Sequence, residues 1–242
     1  MNRRQALFSL SSLVATLSVA PKLGAKEIHG FPLDVKLDPE SVPVPARVGG
    51  YSVLTDITTR KNLVAIFDRL IPADSLGPSA IDEGALEFLD SQLAGDYGSG
   101  AALYLEGPLR PENEEKLMGS PQFITSPRER YLTGLKALEL WAQANHKDSL
   151  HTLNAVQIDA FLTDMEAGKI DLGPEVNSQA FFELMLQNVR ESYLSDPLYG
   201  GNKTMAGWKM IGFPGARYDY RQYVERRGEN LKLIPVSLIP DN

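Results

Sequence analysis

Apolar side chains return at three- and four-residue spacing in five stretches of this chain, and proline or glycine punctuates the sequence between them. That period puts one apolar face on each of several helices, and those faces must be buried against one another. The first stretch covers about 58–70, where Leu63, Ile66, Phe67, Leu70 and Ile71 form the stripe and Pro72 ends it. A second helix is predicted over 79–93, with Ser79 as N-cap, Asp82 three residues on, Ala85, Phe88, Leu89 and Leu93 inward, and Gly95 as the stop. Pro127 suits the first turn of a third helix, reaching about Asn145, with Tyr131, Leu135, Leu138, Trp141 and Ala142 facing the core. Asn154 and Gln157 read as a capping box before Ile158, Phe161, Leu162 and Met165, with Gly168 closing that helix. The last stripe, Phe182, Met185, Leu186, Val189 and Tyr193, stops before Asp196-Pro197. Strand alternation is confined to the tail at 231–239, where Pro235 and Pro240 restrict it to an edge. The predicted fold is all-α: an irregular helical bundle with long proline- and glycine-rich loops and extended terminal arms.

The N-terminal residues follow a different logic. Met1-Asn2-Arg3-Arg4-Gln5 is short and positive, and 6–20 then runs apolar with interspersed serine and threonine, the layout of an export signal. The apolar run is shorter than the roughly 20 residues a spanning helix needs, and Pro21 and Lys22 follow it directly. Arg3, Arg4 and Leu7 fit the twin-arginine pattern Ser/Thr-Arg-Arg-x-Phe-Leu-Lys, while Asn2, Ala6 and Phe8 depart from it. Residues 1–25 are therefore read as a twin-arginine-type signal, with cleavage after Ala25 or retention of the signal as the alternatives. Residues 26–57 are read as an extended proline-rich arm, and 58–242 as the helical domain with its glycine-rich C-terminal loop and tail. The route implies a periplasmic destination.

Charge and cysteine content narrow the function. Removing residues 1–25 takes away Arg3, Arg4 and Lys22 and no acid, leaving 21 basic against 31 acidic residues, a net −10. Such a surface repels nucleic acid and anionic lipid. With no cysteine in the sequence, the chain has no disulfide, thiolate metal site, iron–sulfur ligand or cysteine nucleophile.

No motif for catalysis or metal binding stands out. His29, His146 and His151 lack metal-ligand spacing, and the two later ones read as solvated loop residues. No G-x-G-x-x-G opens a helix after a strand, and no G-x-S-x-G elbow is present. Gly98-Ser99-Gly100 reads as a turn. Asp90 and Asp96 form a conceivable acid–base pair, although a solvated face is the better reading in so acidic a chain. The long stretch 98–126, broken by prolines and glycines, has the character of a functional loop.

The richest segment lies at 196–227. It contains Asp196-Pro197-Leu198-Tyr199-Gly200-Gly201-Asn202 and then Gly207-Trp208-Lys209-Met210-Ile211-Gly212-Phe213-Pro214-Gly215, a composition that predicts a shaped loop and not a helix. Arg217, Arg221, Arg226 and Arg227 then interleave with Tyr218, Tyr220 and Tyr223. Arginine and tyrosine are favoured at protein interfaces, which makes this a candidate partner surface. The alternative is a loop folded back on its own helices, with the arginines paired to surface acids.

These two motifs, together with Leu70-Ile71-Pro72-Ala73-Asp74, resemble the gluconate 2-dehydrogenase subunit 3 family over about 63–216. The resemblance implies a small subunit without its own cofactor, beside a large subunit that carries FAD and often an iron–sulfur cluster, and a multihaem cytochrome c subunit that takes the electrons. It further implies a non-catalytic role: supporting the flavoprotein, which acts on gluconate, a sugar or a polyol, and carrying it through twin-arginine export. Membrane association would arise only through partners. Asp196, Tyr199, Gly200, Gly201, Asn202, Gly207, Trp208, Gly212, Phe213, Pro214 and Gly215 carry over by position as loop-shaping and partner-contact residues, with Arg217, Tyr220 and Arg221 beside them. The competing expectation is a free-standing exported carboxylate-dependent hydrolase using the 98–126 loop. A solute-binding protein is a third, without the two-lobed α/β pattern that class usually shows.

Overall fold

The computed structural model describes residues 50–103, 123–217 and 219–239. The signal, most of the proline-rich arm, the centre of the 98–126 loop, Tyr218 and the end of the tail lie outside the described residues. The described residues all belong to one unit, Val42–Asn242. They form seven helices: α1 (Ile57–Leu70), α2 (Ala85–Ala94), α3 (Asp96–Ser99), α4 (Pro127–His146), α5 (Ala155–Glu166), α6 (Ser178–Leu194) and α7 (Ala206–Ile211). No strand occurs among the described residues, so the chain is all-α as its periodicity predicts.

Side-chain caps fix where most of these helices begin. Asp56 accepts a bond from the Thr59 amide at 2.6 Å ahead of α1, and Asn177 accepts one from Ala180 at 2.9 Å ahead of α6. The Asn154/Gln157 capping box forms at α5 as expected. At α4, Pro127 occupies the first turn, and Ser126 with Glu129 completes a second box that the sequence reading missed. The Ser126 amide and hydroxyl donate to the Glu129 carboxylate and hold its pKa below the ordinary value. Each such cap contributes about 1 kcal/mol.

The second helix starts later than predicted. Ser79 and Asp82 do exchange the bonds of a capping box, but the chain turns once and then breaks at Gly84, whose φ is +88°. The cause is tertiary. The Glu83 side chain is buried and aimed at Thr204, and the carbonyl of Gly200 sits 2.4 Å from where a β-carbon on Gly84 would lie. The helix resumes only at Ala85.

α6 is the central element, packing against α1, α2, α4, α5 and α7. Leu63, Ile66 and Phe67 of α1, Leu89 and Leu93 of α2, Leu138 of α4, Met165 of α5 and Met185 of α6 are all fully buried. Each contributes about 1.5–3 kcal/mol by leaving water. Tyr131 crosses Phe181 edge to face with ring centroids 5.6 Å apart, and Gly134 leaves the room this ring needs on α4. Tyr131 donates its hydroxyl to Asn188 at 2.9 Å, and Asn188 also bonds Tyr97 and Glu191, so the polar atoms inside this part of the core are satisfied.

Two groups read as solvated are not. Asp90 is buried, and its carboxylate accepts from the amides of Ser52, Val53 and Leu54 at 2.8, 2.9 and 2.7 Å. It anchors the described end of the N-terminal arm to α2. Asp96 is exposed at the start of α3. His151 is half-buried, and its Nδ1 and backbone amide both lie 2.9 Å from Oδ1 of the buried Asn62. Asn62 in turn donates to Glu139, which ties α1 to α4. His146 is exposed and lies against Trp141.

Candidate partner-binding surface

A helix leaves its last carbonyls without intrahelical partners, and at α6 the glycine-rich segment wraps around that end and supplies donors. The Trp208 indole N–H donates to the Leu194 carbonyl at 2.7 Å, and the Asn202 amide group donates to the Ser195 carbonyl at 2.9 Å. Asn202, fully buried with φ +45°, also accepts the Gly207 amide at 2.9 Å and so sets the start of α7. Gly201 and Gly207 lie flat on α6: a β-carbon on Gly207 would sit 1.9 Å from the Tyr193 carbonyl oxygen, and one on Gly201 would sit 2.3 Å from that of Ser192. Gly200, Gly212 and Gly215 all take left-handed backbone angles. The segment is therefore partly helical, contrary to the sequence reading. α7 forms because its inner face, Ala206, Gly207 and Trp208, is buried on α6.

Asp196 joins three pieces of chain. It caps the Pro197–Tyr199 turn through the Leu198 amide at 2.9 Å, and it accepts the Ser237 hydroxyl at 2.8 Å and the Leu238 amide at 2.9 Å from the tail. The tail also runs beside the loop, with Ala216 donating to the Val236 carbonyl at 2.7 Å and Val236 to that of Pro214 at 3.3 Å. Here the edge-type character of 231–239 amounts to one isolated parallel bridge, Gly215 with Val236. Phe213 crosses Trp208 edge to face at 5.2 Å and stays about half exposed.

Glu83 fastens the other side of the loop. It is buried, and its two carboxylate oxygens accept the Thr204 amide at 2.9 Å and the Thr204 hydroxyl at 2.7 Å, while its carbonyl accepts the Lys203 amide at 3.3 Å. Nothing local in the sequence marks Glu83 or Asp90, because each acts on amides far along the chain. Asp82 and Glu87 share the same 79–93 segment, so neither acid stands out by residue type.

The arginine- and tyrosine-rich stretch is laid out differently. Arg217 donates to the Ile234 carbonyl at 2.8 Å, and its Nε is buried without a hydrogen bond. Arg221 grips Asp219 with two bonds, at 2.9 and 2.7 Å, which hold the Asp219 carboxyl down to about 2. Arg226 pairs with Glu229 at 2.8 Å. These two arginines thus meet nearby acids, while Tyr220 is exposed and lies 6.5 Å from the Tyr223 ring.

Leu70, Ile71, Pro72 and Asp74 of the first motif come together with Tyr193, Leu194, Met210 and Ile211 around one open groove of about 280 Å³. The Tyr193 hydroxyl, its pKa raised chiefly by burial, donates to the Pro78 carbonyl at 2.8 Å, and Asp74 accepts the Leu76 and Gly77 amides at 2.7 and 3.3 Å. The Tyr193 bond holds the 72–78 turn against the end of α6, and the Asp74 bonds shape the turn itself. Leu76, Leu194, Met210 and Ile211 remain exposed at or beside this groove. Among the described residues no group of three or more histidines and acids is placed to hold a metal ion, and no helix is long and apolar enough to cross a membrane. Arg3, Arg4 and Leu7 lie outside the described residues.

Fold and surface together define an all-helical domain in which the Leu70–Asp74 motif and the glycine-rich segment meet around the C-terminal end of α6. The chain belongs to the gluconate 2-dehydrogenase subunit 3 family, whose model matches residues 58–215. No curated protein and no solved structure matched in the corresponding comparisons.

Proposed function

We propose that this chain is the non-catalytic small subunit of an exported FAD-dependent dehydrogenase complex acting on gluconate, a sugar or a polyol. It stabilises the flavoprotein large subunit by binding its folded form, and Arg3 and Arg4 supply the twin-arginine signal for both. FAD, and an iron–sulfur cluster where one exists, belong to the partner, and a multihaem cytochrome c subunit completes the electron path. The complex works in the periplasm, at the membrane through its partners. Family membership carries the subunit reading. The way the motif residues are used supports it: Asp196, Asn202, Gly207 and Trp208 are spent on folding the loop, while Tyr199, Met210, Ile211 and Phe213 are left exposed. The separate Asp90–Asp96 acid–base pairing loses Asp90, whose carboxylate is occupied by three backbone amides, while the 98–126 loop of the hydrolase alternative lies mostly outside the described residues.

The export role is tested by replacing Arg3→Lys together with Arg4→Lys and fractionating cells that express both subunits. Both chains should remain in the cytoplasm. A large subunit that still reaches the periplasm rules out the carrier role.

A further inference from the structure

The motif-lined groove does not end at Ile211. A second open groove, of about 760 Å³, runs along the other flank of α6 past Phe88, Gln187 and Tyr199, and the two share Arg190 and Leu194. Leu76, Leu194, Tyr199, Met210 and Ile211 bring large exposed apolar groups to this continuous face. Scattered apolar residues on a surface are ordinary, but several gathered around a cleft mark an interaction site.

Charge gives the face its polarity. Arg190 is exposed at the junction of the grooves and makes no hydrogen bond or ion pair among the described residues. Arg60, Arg69, Arg128, Arg217, Arg221 and Arg226 are all engaged by carbonyls or carboxylates. Glu183, also exposed and without a partner among the described residues, stands seven positions before Arg190 on the same helix. Seven residues are nearly two helical turns, so the two charges share a face about 10 Å apart. Glu191 and Asp74 also line the grooves, but their carboxylates accept from Gln187 and Asn188 and from the Leu76 and Gly77 amides. An arginine left without such a partner beside Leu194 is the kind of group that dominates binding when a carboxylate meets it out of water.

We propose that this double groove docks the flavoprotein large subunit, through a segment of that subunit that places apolar side chains against Leu194, Met210 and Ile211 and a carboxylate against Arg190. A basic group of the same segment faces Glu183. The inference rests on the subunit reading above and adds to it the surface and the chemistry of contact. The opposite signs at Glu183 and Arg190 fix the direction in which the segment lies.

The test is co-purification of the full chain, tagged and co-expressed with its large subunit, as wild type, Arg190→Glu, Ile211→Asp and Val156→Asp. Val156 is exposed on α5 and lines neither groove. Arg190→Glu and Ile211→Asp should each lower the recovered flavoprotein roughly tenfold or more, with circular dichroism unchanged, and Val156→Asp should recover it like the wild type. Full recovery with both groove variants overturns the docking surface while leaving the subunit reading intact. No flavoprotein with the wild type overturns both. If the chain alone is a dimer that the groove variants split, and the complex is unaffected, the face binds a second copy and the proposal is wrong.

Discussion

At the scale of single residues, the parts that matter most are those with no room to change. Gly207 lets α7 lie directly on α6, and any side chain there meets the Tyr193 backbone. Gly212 is also in the motif, with φ +70°, but open space surrounds it. Gly207→Ala should therefore destabilise the fold by roughly 2–3 kcal/mol through overpacking, while Gly212→Ala should cost about 1 kcal/mol of backbone strain. Denaturant titration distinguishes them, and equal losses would remove the packing argument. Both residues are glycines in the same motif, and the sequence gives no basis for ranking them. The difference comes from Tyr193, which lies on another element.

At the scale of elements, helix periodicity was a good guide where a stripe had a local cap and no distant contact disturbed its first turn. α1, α4 and α5 appear within a residue or two of their expected ends, because Asp56, Ser126 and Asn154 act within their own turns, and α6 stops before Asp196 as expected but begins at Ser178, four residues ahead of its stripe, where Asn177 caps it. It misled where tertiary contacts override local preference. α2 loses its first turn to the bond between Glu83 and Thr204, and α7 forms in a glycine-rich segment because Trp208 is buried on α6. The tail is held by few bonds, of which Asp196 supplies two. Asp196→Ala should free 219–239 from the loop while leaving the helical core in place, since hydrogen bonds of this kind contribute only about 1–3 kcal/mol. Limited trypsin digestion should then cut near Arg226 and Arg227 several-fold faster, with far-UV circular dichroism nearly unchanged. An unchanged cleavage rate would mean that the tail is held by other contacts.

At the scale of the whole molecule, the sequence made the fold class and the family legible, and it marked the motif segments without showing what they build. Leu70 to Asp74 and Gly207 to Gly215 are far apart in the chain, and only folding brings Ile71, Pro72, Met210 and Ile211 around one groove. Arg190 carried no signal in sequence, because an exposed arginine on a helix is ordinary until its surroundings are seen. The function proposed above leaves the chemistry to a partner, with the buried polar groups of this chain holding its own shape. It is tested most directly by purifying the full chain twice, once co-expressed with its large subunit and once alone, and measuring flavin absorbance and dye-linked oxidation of gluconate, glucose, fructose and sorbitol. The complex should show flavin and oxidise at least one of these substrates, and the chain alone should show neither. Flavin or oxidation activity in the isolated chain would contradict it.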